Sequence, residues 1–408
     1  MGGKASLFVV AGFSLVFLVI ANNFGTVSNR SIDNYAKYFD LTTTHNIAIS
    51  GANIAANQIY LDPAWDTGYN DLSYQGGTLD ISVNVVNAYQ NIREIVSVGT
   101  YDGFTDTVKV TLAPSKFSKF AYYSVSEGSS IWWTENDTVW GPFHTQDYMR
   151  VYRHPVFYGK ATTKRSLIYY TSQRKDKPYF YGGFEQGVDL PLPTDGINNI
   201  EPDAEANGIK FAGKDTVYIT FDYDTLKYRF SYCDPDTAVY LPTVAPNGVI
   251  FAKNSVVRLK GTVQGQYSIV SSGSSLSGKG KIYIDDDIVY SKDPRTSPSS
   301  TDLLGILAQN EVLITDNDAN HHDVNIQGSI YCENGGFGAE NYSSRPVSGN
   351  INLLGGIIQD TRRPVGTFNK WGPASGFSKR YMYDDRLMMA SPPMFPGTGS
   401  FEIVAWYE

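Results

Sequence analysis

Residues 5–29 read ASLFVVAGFSLVFLVIANNFGTVSN, and this stretch close to the N-terminus contains no charged side chain. One lysine, Lys4, precedes it, and the segment Leu7–Ile20 inside it is almost wholly apolar. A run of about 20 apolar residues is long enough to cross the hydrocarbon core of a bilayer. The sequence therefore predicts a chain with one apolar end, which inserts in a membrane or is covered within an assembly.

Three kinds of N-terminal segment fit this pattern. The first is a cleaved signal peptide, with Lys4 as its positive region, Leu7–Ile20 as its apolar region and small residues near Ala21 at the cleavage point. The second is a transmembrane anchor. The third is a pilin-type helix, which sits in the membrane first and packs in the core of a filament later.

The residues that follow the apolar run favour the pilin-type helix. Apolar and small residues recur at helical spacing in two groups, which are Ile32, Tyr35, Ala36 and Phe39, then Ala48, Gly51, Ala52, Ala55 and Ile59. Asp62-Pro63 ends the pattern, because proline lacks a backbone N–H and restricts the residue before it. We therefore predict one helix from about residue 4 to 60, softened near Gly25 and Thr42–Thr44.

This helix predicts how the chain would assemble. Its apolar half would lie in the inner membrane and then exchange lipid for copies of itself, while its amphipathic half lies against its own globular domain. Small residues along a helix allow close approach of a neighbouring backbone. The residues predicted to form the membrane and assembly surface are Leu7, Phe8, Val9, Val10, Phe13, Leu15, Val16, Phe17, Leu18, Val19 and Ile20.

Composition indicates a β-rich body. Of the 408 residues 14% are aromatic and only 18% are charged, and tyrosine and β-branched residues suit pleated, half-exposed surfaces. The net charge of −8 is mild and dispersed, which argues against a nucleic-acid partner, since phosphate binding needs a basic face. Cys233 and Cys332 form either one disulfide or two buried thiols, and the absence of a CxxC pair argues against structural zinc.

The strand pattern predicts three regions, 1–62, 63–208 and 209–408, with a proline-containing connector at 189–208. Alternating segments in the body include 79–85, 107–112, 216–221 and 228–233, the last two as a hairpin or meander. From Gly248 the strands become short and separated by glycine or asparagine, which predicts a β-solenoid, with a β-sandwich as the alternative. Phe401–Trp406 is a predicted closing strand that caps the solenoid edge.

Several phrases of the body resemble one protein family. They are Trp140–Gln146 (WGPFHTQ), His154–Gly159, Gly182–Phe184, Leu190–Pro193, Asp302–Ile306, Gly355–Gln359, Val365–Phe368, Tyr381–Arg386 and Pro392–Pro396. Together they are similar to bacterial envelope proteins of uncharacterised function with a PilX-like, pilin-type N-terminus and a GPxHTN-type β-rich body. The resemblance covers nearly the whole chain and implies a cell-surface protein.

The N-terminus departs from the common type IV pilin pattern that this resemblance implies. A prepilin peptidase would cut after a glycine, and Gly2 or Gly3 is available. A glutamate is then usual at the fifth mature position, where this chain has Leu7 or Phe8. That glutamate normally pairs with a neighbour's free amine, so the chain is expected to be a minor pilin, to pack differently or to form no filament.

Three groups of polar residues are candidate ligand sites. His144, His154 and Asp147 are candidate metal ligands, although a hydrogen-bonding role for His144 in a β turn is favoured. His321-His322-Asp323, beside Asp316–Asp318, are candidates for a divalent cation, with a solvated acidic loop as the favoured alternative. Asp285–Asp287 are candidates for Ca²⁺ or for the carboxylates of a β-helical glycosidase, with surface charge favoured.

The sequence thus predicts a mainly β protein with a long N-terminal helix, no metal, no cofactor and no catalytic residues. The predicted function is a structural subunit of a pilus-like filament at the cell surface, assembled from copies of itself by a pilus-type machinery. The alternative is a membrane-anchored surface protein that binds a glycan or another partner.

Overall fold

The structure is a computed structural model that describes residues 2–87, 91–135, 137–193, 195–369 and 372–408. The chain divides into two compact units, of which the first runs to Ala113 and also includes Ser400–Glu408. The second unit is Pro114–Gly399. This division differs from the predicted boundaries at residues 62 and 208, for reasons that lie in the packing of each unit.

The N-terminal helix is longer and more regular than predicted. Helix α1 (Gly2–Leu61) has 60 residues and continues through both segments that were expected to soften it. There the hydroxyls of Thr26 and Thr44 donate to the carbonyls of Asn22 and Asp40, one turn earlier, at 2.9 and 2.7 Å. Threonine is therefore accommodated inside the helix by bonding to its backbone. The helix ends just before Asp62-Pro63, as predicted.

The last third of α1 packs on an antiparallel sheet. The sheet has five strands in the order β1, β2, β3, β4 and β29, namely β1 (Tyr69–Tyr74), β2 (Gly77–Asn87), β3 (Ile92–Tyr101), β4 (Phe104–Lys116) and β29 (Gly397–Tyr407). The small helix residues predicted at helical spacing are buried against apolar side chains of the sheet. Because helix and sheet share this core, residue 62 is no domain boundary.

The closing strand of the chain is present but lies elsewhere than predicted. Residues 401–406 fall within β29, which pairs with β4 in the sheet of the first unit. The prediction that this strand caps a solenoid is therefore wrong. An edge strand needs a partner for its backbone groups, and β4 supplies one.

The second unit is built mainly from strands, and those that come first in the chain are short. The first group is β5 (Tyr122–Ser126), β6 (Thr138–Val139), β7 (Phe143–Thr145), β8 (Met149–Val151), β9 (Val156–Phe157), β10 (Ala161–Thr163), β11 (Leu167–Tyr169), β12 (Tyr179–Phe180) and β13 (Phe184–Gln186). Helix α2 (Glu201–Asn207) follows. Short 3₁₀ helices occur at Phe117–Lys119, Asn198–Ile200, Ser275–Ser277, Asp318–Asn320 and Asp385–Met388.

The second group of strands in this unit is longer. It comprises β14 (Ile209–Phe211), β15 (Thr216–Tyr223), β16 (Thr225–Arg229), β17 (Thr237–Tyr240), β18 (Val249–Ala252), β19 (Val256–Val263), β20 (Gln266–Ser271), β21 (Lys281–Tyr290), β22 (Leu303–Ala308), β23 (Val312–Ile314), β24 (Val324–Cys332), β25 (Phe337–Ala339), β26 (Val347–Thr361), β27 (Gly366–Asn369) and β28 (Gly372–Met382), with α3 (Leu241–Val244) between β17 and β18. The predicted hairpin is present as the antiparallel pair β15–β16, but its second strand is Thr225–Arg229 and not 228–233, of which only the first two residues are in β16.

One parallel ladder joins ten strands of the second unit. Their order is β14, β18, β20, β22, β24, β26, β5, β7, β10 and β13. Strands that come early in the chain, β5 to β13, thus continue the stack formed by strands that come late. Residue 208 lies inside this unit, so the boundary predicted there is absent.

Side chains of the ladder stack in columns that alternate between its two faces. One column belongs to the main core, in which Ile250, Ile269, Ile306, Ile330 and Ile357 occupy equivalent positions. The adjacent column faces the other way and forms a second apolar cluster, whose members are Tyr123, Phe251, Val270, Leu307, Tyr331 and Ile358. The predicted connector covers this cluster through Ile197 and Ile200. It is therefore packed on the ladder.

Candidate assembly helix and polar sites

The first two thirds of α1 have no covering structure. Every residue from Gly3 to Phe39 is exposed, whereas burial begins at Thr44. The predicted assembly residues, Leu7 to Ile20, keep between 43% (Ile20) and 79% (Phe8) of their surface exposed. The structure places them on one continuous helix, and whether they contact another chain stays a prediction.

The segment meets the length and composition of a membrane span. Within the described residues, α1 is the one helix that meets them, and its most apolar window is entirely exposed. A helix in the core of a soluble domain would instead be buried. The predicted processing residues, Gly2 and Gly3, form the first turn of α1, and cleavage beside them stays a prediction.

A second apolar surface follows the predicted span. Phe24, Val27, Tyr35 and Tyr38 are each more than 60% exposed and are separated by three, eight and three residues. These spacings place them along one face of the helix. Of this face only Tyr35 was predicted from the sequence, and the helical spacing from Phe24 onward is the signal that could have revealed the other three residues.

Charged residues of the same segment occupy another face. Arg30, Asp33, Lys37 and Asp40 follow one another at three or four residues, with alternating sign. None of the four belongs to an ion pair within the described part of the chain. This segment is thus amphipathic and exposed on both faces, in contrast to the packed helix after Thr44.

The two candidate histidines of the body lie in separate environments. His144 is buried, stacks on Tyr123 and places its Nδ1 2.7 Å from the hydroxyl oxygen of Thr162. Burial lowers the pKa of His144 to about 4. The Nδ1 of His154 lies 3.0 Å from the carbonyl oxygen of Lys177. His144 therefore has a hydrogen-bonding role, as the sequence favoured, but it lies in strand β7 and not in a β turn.

The candidate aspartates are engaged in hydrogen bonds between neighbouring strands. Asp285 accepts two bonds from Arg258, at 2.9 and 2.7 Å, and Asp287 accepts from Asn325. His321 lies 2.9 Å from Asp316, whose pKa is lowered first by Asn341 and then by His321. Among the described residues no cluster of three or more His, Cys, Asp or Glu is arranged to hold a metal ion.

The two cysteines are free thiols. Cys233 is exposed, whereas Cys332 is buried in the core at the end of β24. The predicted disulfide is therefore absent, and of the two predicted buried thiols only Cys332 is buried. Burial raises the pKa of the Cys332 thiol to about 12. Cys332 thus behaves as a small apolar side chain.

Comparison with solved structures gives a similarity to a pilin. No protein-family model matches the chain, and no curated protein matches it. The chain is similar to the crystal structure of the competence-associated pilin ComZ from Thermus thermophilus, at 12% identity over 84% of this chain and 86% of that chain, with a TM-score of 0.37. At that TM-score the overlap is too loose to transfer an architecture or a role.

Proposed function

We propose that this protein is a non-enzymatic, pilin-like subunit of a filament at the cell surface, which assembles through α1. The supporting observation is the continuous exposure of the helix from Gly3 to Phe39. Its large apolar side chains form one contiguous exposed surface, which is larger than the surface of a single exposed apolar residue on a soluble domain. Contiguous exposed apolar surface of this kind marks a membrane or protein contact.

The length of the exposed helix favours a filament over a simple anchor. At 1.5 Å per residue, Gly3–Phe39 extends about 56 Å, whereas the hydrocarbon core of a bilayer is about 30 Å thick. A bilayer would cover about 20 residues, from residue 5 to about 24, and leave Val27, Tyr35 and Tyr38 in water. Burial between neighbouring copies would remove that apolar surface from water, at about 25 cal/mol per Å².

The proposed assembly has three partners. The inner membrane would hold Leu7–Ile20 before assembly, and copies of the same chain would replace the lipid afterwards. A pilus-type machinery would extract each subunit, with or without cleavage beside Gly2 or Gly3. We further propose that the parallel ladders of the second unit are coils of a β-solenoid carried on the outside of the filament.

The decisive experiment separates membrane insertion from assembly. The double variant Phe24→Asp/Tyr35→Asp leaves residues 5–20 intact, so it is expected to fractionate with membranes and to form no filaments that can be sheared from cells. Leu276→Asp is the matched control, because Leu276 is 99% exposed on the second unit. Sheared filaments that contain the double variant at the level of the control would contradict the proposal.

A membrane-anchored binding protein is the second candidate function. The observation that favours it is a polar groove on the second unit, described below. The same experiment separates the two candidates. If the protein is a plain anchor, the unaltered protein also fractionates with membranes and forms no filaments.

A further inference from the structure

A row of side chains, five of them polar, runs across six neighbouring strands of the ten-strand ladder. Each lies within one residue of the end of its strand, and the register aligns them in one column. In order along the ladder they are Gln309, Glu333, Asp360, Val125, Gln146 and Lys164. Strands lie about 4.8 Å apart, so the column is about 24 Å long.

The connector turns this column into the floor of a groove. Leu190 and Leu192 pack on the apolar cluster beside the column, so residues 189–193 and Asp195 stand along one side. Ser126, Asp147, Arg165 and Asn334, from the next column, line the other side. The groove has a volume of about 720 Å³, within the range of ligand sites in proteins.

Charge on the groove is negative and incompletely balanced. Lys164 pairs with Asp189 at 2.9 Å, and Asp147 pairs with Arg150 at 3.5 Å. Glu333 and Asp360 are neighbours in the column, and neither belongs to an ion pair within the described ranges. Adjacent like charges destabilise a ladder, so this pair is a cost that a cationic group would offset.

Two side chains of the floor are buried and still face the groove. Gln146 is only 8% exposed, and neither of its amide atoms makes a hydrogen bond of normal geometry in the described structure. It lies close enough to Asp189 to add to the effect of Lys164, which lowers the pKa of that carboxyl. Glu333 is 9% exposed and accepts a bond from the backbone N–H of Ile197 at 3.0 Å, and burial raises the pKa of its carboxyl. An unsatisfied buried amide costs free energy, so Gln146 is a group that a ligand would satisfy.

We propose that this groove binds an extended glycan that carries amino groups. Carboxylates of Glu333 and Asp360 would accept from its ammonium groups, and the amides of Gln146, Gln309 and Asn334 would bond its hydroxyls. A metal ion is disfavoured, because no metal-binding cluster exists among the described residues. A peptide bound by its backbone is disfavoured too, since every strand under the floor is paired on both sides and offers no free edge.

The test is calorimetric titration of the full-length protein in detergent. The probes are a β-1,4-linked glucosamine hexamer (cationic), its N-acetylated form (neutral), a galacturonate hexamer (anionic) and a hexapeptide with alternating lysines. The cationic sugar is expected to bind most tightly, the neutral sugar more weakly and the anionic sugar not at all. Glu333→Gln and Asp360→Asn are each expected to weaken binding of the cationic sugar about tenfold.

Asp234→Asn is the matched control, because Asp234 is an exposed carboxylate between β16 and β17, outside the groove. It removes the same charge and is expected to leave binding unchanged. The proposal is overturned by absence of binding of the cationic hexamer at about 1 mM, by equal losses in the control and the groove variants, or by tighter binding of the peptide. None of these outcomes bears on filament assembly, which the Phe24→Asp/Tyr35→Asp variant tests separately.

Discussion

The two parts of α1 share one unbroken backbone and differ in what their side chains meet. From Gly3 to Tyr38 large apolar residues project into open space, whereas from Thr44 to Ile59 small residues lie against the sheet. Small side chains on the buried stripe let the helix approach the strands closely. The comparison teaches that small residues mark the part of the helix that is packed on the sheet, whereas large apolar residues mark the part that is exposed.

The largest effect on the packed part of α1 is expected from a substitution at Gly51. A Cβ at this position would lie 2.3 Å from both Leu79 Cδ1 and Ser97 Oγ, so Gly51→Leu forces the helix off the sheet. We expect a loss of more than about 3 kcal/mol in the free energy of unfolding of the first unit. Hydrogen exchange of β2 and β3 amides in the full-length protein measures it. Gly25→Leu, with no atom within 4 Å, should leave that exchange unchanged, and equal exchange in both variants would refute the contrast.

Removal of a large buried side chain is expected to have the next largest effect. Ile47 is fully buried in the core between α1 and the sheet. Ile47→Ala should therefore destabilise this unit by about 3 kcal/mol, through lost burial and the cavity that remains. Ile32→Ala, at a 64% exposed position of the same helix, should change amide exchange in the sheet by less than the error of the measurement. A comparable loss in both would show that residues before Phe39 are packed as well.

The same contrast between buried and exposed groups sets a pH dependence in the second unit. Burial lowers the pKa of His144 to about 4, against about 6.5 in an unfolded chain. Between these pH values the imidazole is protonated in the unfolded chain and neutral in the folded chain. The contribution of His144 to stability is therefore fully present above pH 6.5 and is lost as the pH falls toward 4. We expect a loss of about 2 kcal/mol over this interval.

The variant His144→Gln should flatten this dependence, as followed by amide exchange of β5, β7 and β10 at pH 7 and pH 4.5. His154→Gln is the control, because His154 lies in the same unit at an exposed hydrogen bond. If the slope between the two pH values is the same in both variants, His144 is not its source.

The smallest effect is expected from removal of a single hydrogen bond, which again compares the packed and the exposed parts of α1. Ser97 on β3 donates from its hydroxyl to the carbonyl of Ala48 at 2.7 Å, within the buried interface. Ser97→Ala should cost about 1 kcal/mol, because a buried carbonyl loses its second partner. Thr26→Ala removes a hydroxyl bond of similar length on the exposed helix and should cost nothing measurable in the exchange of β3. A null result for Ser97→Ala would place that interface in contact with water.

Much of the fold could be predicted because local patterns carried it. The helix was predicted from apolar spacing and from Pro63, and the strands at 79–85, 107–112 and 216–221 were predicted from alternation and lie within β2, β4 and β15. The softening near Gly25 and Thr42–Thr44 was mispredicted, because α1 continues through both segments with the hydroxyls of Thr26 and Thr44 bonded to its own backbone. The packed role of Ile32 was mispredicted as well, since Ile32 is 64% exposed, and Phe39 makes only an edge contact with Tyr101 of β3.

The candidate sites could be predicted only in part. An exposed apolar helix is visible in the sequence as a charge-free run, so its first 20 residues were found. The groove was not visible, because Gln309, Glu333 and Asp360 come from one part of the chain, and Gln146 and Lys164 from another. They align only through the pairing of β26 with β5, which joins positions more than 200 residues apart.

The sequence alone determined the apolar rod, its end at Asp62-Pro63 and the β nature of the body, because each depends on contacts between residues close in the chain. Only the tertiary structure decided which strand closes the first sheet, that β5 stacks on β26 and where Cys233 and Cys332 lie. Backbone pairing is indifferent to sequence distance and nearly indifferent to residue type. Strand partners are therefore selected by the packing of whole faces, which no single stretch of sequence records.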